Sequence, residues 1–350
     1  MTENRLVEVT GHWLPRMEVA GIPSTLSREV IAAAGDWGNW CRAWSAAGAE
    51  HMEMGRAALA AGRQVTAGEA FTRAALLYHF AQFMFFDDPD QKAAATLQKL
   101  RAYQMAAPLL QPPAQPVEIP FEGAALSAYL RQPPGAMRGL VILIPGSDST
   151  KEEFPGFEAH FLRRGLGTLS VDGPGQGEGR AFGPLRPDIT PAIAATVTHL
   201  RDDLGIHAPL GLAGMAYGGH LVLRAAAGVP EIAGVVSING FFDLGQMWDA
   251  FPQVYRDNMR YALGGADAAE TEVRARGFTQ RDSTPPAAPS LIIHGGLDRI
   301  FPPDQGQAQA GWAGARADLH LFARGNHVCN NIPHIYRPLV ADWLAEALSV

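Results

Sequence analysis

The most constraining feature of this sequence is Gly-Leu-Ala-Gly-Met-Ala-Tyr-Gly-Gly at positions 211–219. The segment has the pattern of a nucleophile elbow, a sharp strand-to-helix turn that presents a nucleophilic side chain, except that Ala216 stands where the pattern has serine. The turn needs small residues two positions before and two after the nucleophile, and Gly214 and Gly218 supply them. We interpret the chain either as a catalyst that lacks one hydroxyl group or as a protein that uses the same pocket differently.

Composition restricts the class of protein and its partners. The chain has 350 residues, 47% of them hydrophobic, so we expect one large domain and a smaller one. A net charge of −7 argues against nucleic acid or an anionic membrane as a partner. Two cysteines provide no disulfide framework, residues 1–16 have no apolar segment typical of a secretory signal, and no apolar run could span a bilayer. The sequence therefore predicts a cytoplasmic protein.

A change in composition near residue 107 predicts the domain organisation. Residues 26–106 are rich in alanine and have apolar residues at helical spacing, so we assign 1–106 to a helical N-terminal module. Residues 107–116 contain four prolines and predict a stiff, extended linker. From 117 to 350, short apolar runs alternate with helical segments. This alternation is typical of the α/β class, with a mostly parallel twisted sheet and helices on both faces.

The predicted sheet begins with an antiparallel hairpin and continues with buried strands. The expected strands are 117–120, 126–131, 140–144, 167–171, 210–213, 234–238, 290–294 and 319–322. The expected helices lie near 152–164, 189–204, 217–227, 304–313 and 335–348.

An insertion at about 240–288 interrupts this alternation. Such a long excursion in a regular fold is more often functional than structural. Because the insertion contains aromatic residues such as Phe242 and Trp248, we expect part of it to form a wall or lid over a binding pocket. The alternative is a pair of surface helices with a small apolar cluster of its own.

Two further segments place an acid and a base where a hydrolytic triad needs them. The predicted strand 290–294 leads to Gly-Gly and Asp298, and the predicted strand 319–322 leads to Gly-Asn and His327. The order nucleophile, acid, base is that of α/β-hydrolases, and all three positions follow strand carboxyl ends, where open α/β sheets bind ligands. His327 would accept the proton of the nucleophile, and Asp298 would orient His327. Asp243, which follows another predicted strand, is the competing candidate for the acid.

Backbone donors are expected beside the nucleophile position. The N–H of Tyr217 and that of Ser147, in the loop 145–151, would form an oxyanion hole, and Gly146 would let the loop approach the substrate closely. The glycine-rich segment 172–179 lacks the spacing of a phosphate-binding loop, and we interpret it as an irregular active-site loop. We expect neither a metal nor an organic cofactor.

The helical module has a strongly aromatic segment at 78–86. Most of its side chains are expected in the core, because aromatic residues dominate core burial. A few would instead line the pocket. In that case Tyr78 and His79 would supply hydrogen bonds that orient a flat, aromatic and partly polar small molecule.

Together these motifs resemble those of the α/β-hydrolases related to 2,6-dihydroxypseudooxynicotine hydrolase, a family that includes fungal hydrolases that shorten polyketide chains. The resemblance is carried by the elbow and by the segments 145–153, 172–177, 295–298 and 325–327. In the helical module, 34–37 and 86–89 also match, so the resemblance extends over most of the chain.

The resemblance implies hydrolysis of a carbon–carbon bond adjacent to a ketone, in an aromatic or polyketide-like small molecule and without a cofactor. It also implies that the helical module is a cap domain and that the protein is a homodimer. Carried over by position, the triad is residue 216 with Asp298 and His327. Ala216 departs from the family pattern, and we interpret the chain as a nucleophile-deficient, Ser-to-Ala form of such an enzyme.

Three other interpretations stay open at this point. An ester or amide hydrolase would use the same triad. A binding protein would explain Ala216 directly, but it would not need Asp298 and His327 to be kept in register. A lyase or a serine-independent hydrolase would use His327 as a base on substrate or water.

Overall fold

The structure is a computed structural model that describes residues 2–349, with side chains from residue 5 onward. The chain divides into two compact units. The helical unit comprises Met1–Gln115 and Glu152–Gly156, and the sheet unit comprises Pro116–Lys151 and Phe157–Val350. The segment Glu152–Gly156, which lies in the predicted sheet domain, is therefore part of the helical unit.

The helical unit is built from long helices joined by short turns. They are α1 (Thr2–Ala20), α2 (Ser24–Ala34), α3 (Trp40–Ala60), α4 (Gln64–Gln82) and α5 (Pro89–Ala106). The start of α5 follows directly from its sequence. The Asp88 carboxylate accepts hydrogen bonds from the N–H groups of Asp90 and Gln91 at 3.1 and 3.0 Å, and Pro89 occupies the first turn, where no N–H is needed.

Aromatic rings form the core of the helical unit. Trp37, Trp40 and Trp44 are fully buried, and the Trp40 ring centroid lies 5.1 Å from those of the other two. The indole N–H of Trp40 donates to the carbonyl of Phe80 at 2.7 Å. Gly55 lets α3 approach α4, because a Cβ there would overlap the ring of Phe71. The expectation that most aromatic side chains of this module lie in its core is confirmed.

The second unit is organised around a sheet with the strand order β1-β2-β4-β3-β5-β6-β7-β8. The strands are β1 (Ala114–Phe121), β2 (Ala124–Arg131), β3 (Gly139–Ile144), β4 (Leu166–Val171), β5 (Leu210–Met215), β6 (Ile232–Ile238), β7 (Ser290–Gly295) and β8 (Ala317–Phe322). Strand β2 pairs antiparallel with β4, and the pairs from β4 to β8 are parallel. Strands β3, β4 and β7 are buried at every residue, as their unbroken apolar runs predict.

Helices alternate with the strands along the chain. They are α6 (Pro155–Leu162), α7 (Thr190–Asp202), α8 (Tyr217–Gly228), α9 (Gln253–Leu263), α10 (Ala268–Arg276), α11 (Pro303–Ala313) and α12 (Pro333–Ala347). The predicted α/β class and the mostly parallel sheet are confirmed. Within residues 2–349, no helix is both long enough and apolar enough to cross a membrane.

Two local expectations differ from the structure. Residues 107–109 form a 3₁₀ turn and β1 begins at Ala114, so 114–116 belong to a strand rather than to an extended linker. The segment 319–322 was expected to be buried, but β8 is the last strand of the sheet, and Leu319 and Leu321 are 36% and 43% exposed. An apolar run identifies a strand, but it does not reveal whether that strand has one neighbour or two.

The insertion between β6 and β7 is an ordered pair of helices. It contains a 3₁₀ helix at Gly245–Ala250, followed by α9 and α10. An isolated bridge between Asp243 and Thr279 joins its two ends. Helix α9 buries one face, which includes Val254, Tyr255, Asn258 and Met259.

Candidate active site

The elbow conformation is present at residue 216 although the side chain is a methyl group. Ala216 lies between β5 and α8 with φ 52° and ψ −113°, a strained combination for a residue with a Cβ. A Cβ on Gly214 would overlap the backbone of Gly218, and one on Gly218 would overlap the carbonyl oxygen of Ile144. The Ala216 N–H donates to the carbonyl of Ile238 at 2.9 Å. The turn is therefore held by backbone contacts that do not involve the side chain of residue 216.

Asp298 and His327, the predicted acid–base pair, are hydrogen-bonded to each other. The loop after β7 carries Asp298, and a 3₁₀ turn after β8 carries His327. The distance between His327 Nδ1 and Asp298 Oδ2 is 2.9 Å. With the carboxylate ionised, Nδ1 is the donor and Nε2 is left to accept a proton, which is the tautomer that a general base needs.

The Asp298 carboxylate is buried, and both of its oxygens accept hydrogen bonds. Its Oδ1 accepts the N–H groups of Ile300 and Phe301 at 2.8 and 3.0 Å, and its Oδ2 also accepts Asn239 Nδ2 at 2.8 Å. Burial alone would raise the pKa of Asp298, but His327, the hydrogen bond from Asn239 and the nearby His294 together outweigh it and lower the pKa below the ordinary value. Asp298 is therefore ionised at neutral pH.

The competing acid, Asp243, has other partners. Its Oδ2 pairs with Arg281 Nε at 2.9 Å and accepts the Thr279 hydroxyl at 3.2 Å. These contacts hold the two ends of the insertion together. The structure thus pairs His327 with Asp298, and it gives Asp243 a structural position.

Two nearby groups are kept uncharged by burial. The His220 ring stacks on Phe241 with centroids 4.4 Å apart, and burial lowers the pKa of His220 to about 4. Burial, followed by the charge of Asp298, raises the pKa of the Cys329 thiol to about 12. Cys329 is therefore protonated at neutral pH, and it is not an alternative thiolate nucleophile.

The loop 145–151 lies against the elbow. A Cβ on Gly146 would stand 3.7 Å from the Ala216 Cβ, so this glycine brings the loop backbone next to the nucleophile position. Gln176, from the glycine-rich segment, donates Nε2 to the carbonyl of Gly146 at 3.2 Å. Tyr217 is the first residue of α8, and N–H groups of a first helical turn have no partner within the helix. These positions are the predicted places of the two oxyanion donors, Tyr217 and Ser147.

A series of aromatic rings leads from the insertion to His327, the predicted base. The Trp248 ring lies 6.1 Å from Phe251, Phe251 lies 6.3 Å from Phe301, and Phe301 lies 5.3 Å from His327, all between centroids. Phe242 is half-buried, and its ring lies under the Arg281 guanidinium at 5.3 Å. Of the two predicted wall residues, Trp248 belongs to the aromatic series that reaches His327. Phe242 instead contacts Arg281, where the two ends of the insertion meet.

Tyr78 and His79 have contacts within the helical unit. Tyr78 lines an open cavity of about 590 Å³ together with Cys41, Met52 and Gln91. His79 is buried, and its Nε2 lies 3.4 Å from Glu153 Oε2. Their role in substrate binding stays a prediction.

Sequence patterns did not identify Asn239, Gln176 and Asn258 as site residues, and they indicated Tyr255 only as one of the aromatic residues of the predicted wall or lid. Asn239 has φ 48° and follows β6 directly, so an Asn-Gly pair at a strand carboxyl end was the available signal. Gln176 lies in a loop that was expected to be functional. Asn258 carries no motif, and only the packing of α9 brings it to Ser147.

The fold and the site geometry define a class of protein. A mostly parallel sheet with an elbow after β5, an acid after β7 and a histidine after β8 is the arrangement of the α/β-hydrolases. The chain belongs to the FrsA-like esterase family, because the family model described as Esterase FrsA-like matches residues 30–279. It is therefore a member of a hydrolase family.

Individual relatives agree with this assignment. The chain is 32% identical to 2,6-dihydropseudooxynicotine hydrolase of Paenarthrobacter nicotinovorans over 88% of this chain and 84% of the relative. It is 31% identical to the α/β hydrolase pydG of Acremonium sp over 60% of this chain and 53% of the relative. The crystal structure of the 2,6-dihydroxy-pseudo-oxynicotine hydrolase superposes with a TM-score of 0.86 at 29% identity and covers 95% of each chain.

Proposed function

We propose that this site is built to hydrolyse a carbon–carbon bond adjacent to a ketone in an aromatic or polyketide-like small molecule. We further propose that the chain with Ala216 is a nucleophile-deficient form, which binds this substrate but turns it over only at a residual rate. The observation that carries the proposal is the strained elbow at Ala216 beside an intact acid–base pair, with 2.9 Å between His327 Nδ1 and Asp298 Oδ2. Both features serve a serine hydroxyl that is absent.

With serine at position 216, the geometry supports a cleavage in two stages. His327 Nε2 accepts the hydroxyl proton while the serine oxygen attacks the ketone, and the oxyanion is stabilised by the N–H groups of Tyr217 and Ser147. The carbon–carbon bond then breaks, its electron pair leaves as an enolate, and protonated His327 returns the proton to that carbon. Water, activated by His327, finally releases the acyl group as a carboxylic acid. In sum, R–CO–CH₂–CO–R′ and H₂O give R–COOH and CH₃–CO–R′.

With Ala216 the first bond of this sequence cannot form. Loss of a triad nucleophile lowers kcat by roughly 10⁶ in the best-studied serine hydrolases, and the remaining site retains roughly 10³–10⁴ over water. Substrate binding depends on the pocket walls rather than on the serine oxygen. We therefore expect the chain to hold its substrate and to react with it slowly.

Specificity for carbon–carbon bonds is proposed from the family resemblance and from the aromatic wall that joins Trp248 to His327. The homodimer and the cytoplasmic location are proposed on the resemblance and on composition, respectively. An ester or amide hydrolase would use the same triad, so the experiment has to separate these bond types.

The test compares this chain with Ala216→Ser on aryl 1,3-diketones, p-nitrophenyl esters and anilides. We expect kcat on a diketone to rise by roughly 10⁴–10⁶. Ala216→Gly is the matched control, because it keeps the elbow and adds no hydroxyl, and we expect no gain from it. A larger gain on esters or anilides would assign the site to those bonds. No gain on any class would refute the triad.

A further inference from the structure

We propose that Tyr255, on insertion helix α9, contacts the substrate and donates a hydrogen bond to the second carbonyl oxygen, where negative charge collects when the carbon–carbon bond breaks. This inference rests on the proposed function and goes beyond the triad and the oxyanion hole. It assigns a role to a part of the chain that carries no recognised motif.

The position of the Tyr255 ring brings it to the reacting side of the sheet unit. Tyr255 is 3% exposed, and its ring centroid lies 4.8 Å from Phe251 and 5.9 Å from Phe301. Phe301 in turn lies 5.3 Å from the His327 ring. A single intervening ring therefore separates Tyr255 from the catalytic base.

Tyr255 lies on the face of α9 that meets the oxyanion loop. It shares the buried face of α9 with Asn258, whose Nδ2 donates to Ser147 Oγ in that loop. Hence Tyr255 is one ring removed from His327, through Phe301, and one helical turn from the residue that binds the oxyanion loop. In a 1,3-diketone a single carbon separates the two carbonyl groups, so a donor for the second carbonyl oxygen has to lie beside the oxyanion hole.

A short relay from α9 sets the direction in which the Tyr255 proton points. Asn258, one helical turn after Tyr255, donates Nδ2 to Ser147 Oγ at 3.2 Å. With its oxygen accepting from Asn258, the Ser147 hydroxyl is free to donate to Tyr255 Oη. That arrangement leaves the Tyr255 proton for a partner in the site. Burial raises the pKa of Tyr255 well above its ordinary value, so the phenol remains a donor at neutral pH.

The chemistry explains why a carbon–carbon hydrolase needs this donor and an esterase does not. When the bond between the attacked carbonyl and the central carbon breaks, its electron pair moves onto the central carbon and the second carbonyl oxygen. The Tyr255 hydroxyl stabilises that enolate oxygen, and His327 then protonates the carbon. A p-nitrophenyl ester expels p-nitrophenolate, which leaves without a proton donor.

The main test is Tyr255→Phe in the Ala216→Ser chain, with an aryl 1,3-diketone and a p-nitrophenyl ester as paired substrates. We expect kcat on the diketone to fall by about 100-fold, as for the loss of one oxyanion donor, and kcat on the ester to change by less than about threefold. The matched control is Tyr261→Phe on the same helix, where the ring is 39% exposed and stacks with Arg180. We expect this control to leave both activities unchanged.

A second measurement uses the chain with Ala216 as it stands and needs no turnover. We expect Tyr255→Phe to weaken equilibrium binding of the diketone by about fivefold to tenfold and to leave the matching aryl monoketone unaffected. Equal losses on diketone and ester, or on diketone and monoketone, would show that Tyr255 only packs the insertion and would overturn the inference. If Ala216→Ser cleaves no diketone, the proposed function fails, and the binding comparison still decides the role of Tyr255.

Discussion

The elbow and the acid–base pair are two halves of one site, and they are held in place by different means. The elbow at Ala216 is fixed by backbone contacts and by glycines at 214 and 218. The pair of Asp298 and His327 is fixed by side-chain hydrogen bonds that come from several parts of the chain. Replacing a hydroxyl by hydrogen at residue 216 therefore leaves the elbow folded, whereas a comparable loss in the pair would change its geometry.

This contrast separates the shape of a site from its reactivity. In the elbow, the side chain that would react contributes nothing to the conformation, so the two properties are independent. In the acid–base pair, the His327 ring that would take the proton at Nε2 is the same ring that holds the arrangement together through Nδ1. Substitutions in the two halves should therefore differ in whether they change rate, stability or both.

The largest expected effect is on rate, from a change in the acid–base pair. We expect Asp298→Asn in the Ala216→Ser chain to lower kcat about 10⁴-fold, because an amide does not hold His327 in the tautomer that accepts a proton. Diketone binding by the Ala216 chain should change little, since Asp298 faces His327 rather than the pocket. Steady-state kinetics and equilibrium binding measure the two quantities. A loss of less than tenfold would mean that another group orients His327.

The next effect is on stability, from a change in the elbow. We expect Gly218→Ala to lower the free energy of unfolding by about 3 kcal/mol or more, because its Cβ would overlap the carbonyl oxygen of Ile144, and a backbone oxygen cannot move aside as a side chain can. Chemical denaturation in the Ala216 chain measures this directly.

The matched control for that prediction is Gly311→Ala in α11. A Cβ at this helical position has no neighbour within 4 Å, so we expect no loss and a gain of up to about 1 kcal/mol. If Gly218→Ala is tolerated as well as Gly311→Ala, the elbow is not fixed by close backbone packing, and the contrast between the two halves does not hold.

The strand positions could be predicted closely because buried parallel strands appear in the sequence as short apolar runs. Strand β7 was expected at 290–294 and spans Ser290–Gly295. The elbow was predictable for the same local reason, since its glycines stand at fixed spacing. The exposure of β8 was not predictable, because an edge position depends on the order of strands in the sheet and not on the residues of the strand itself.

Contacts between distant segments explain what the sequence did not reveal. Asn239 reaches an aspartate 59 positions later, and Asn258 reaches Ser147 across 111 positions. The sequence around either asparagine does not indicate its partner. The packing of the insertion and the order of the strands determine which residues meet. Motifs thus pointed to the residues proposed to react, and the structure was needed for those that hold them in place.

The smallest expected effect comes from Asn239, which combines a side-chain hydrogen bond to the acid with a special backbone conformation. Its side chain donates to Asp298 at 2.8 Å, and its backbone has φ 48°. In the Ala216→Ser chain, we expect Asn239→Gly and Asn239→Ala to lower kcat equally, by about tenfold, because both remove the same bond to a carboxylate. We expect the alanine variant to be the less stable by about 1 kcal/mol, since only alanine is strained at positive φ. Kinetics and denaturation of the pair separate the side chain from the backbone. Equal stabilities would show that this backbone stores no strain, and unequal rates would show that the conformation at residue 239 itself positions the acid.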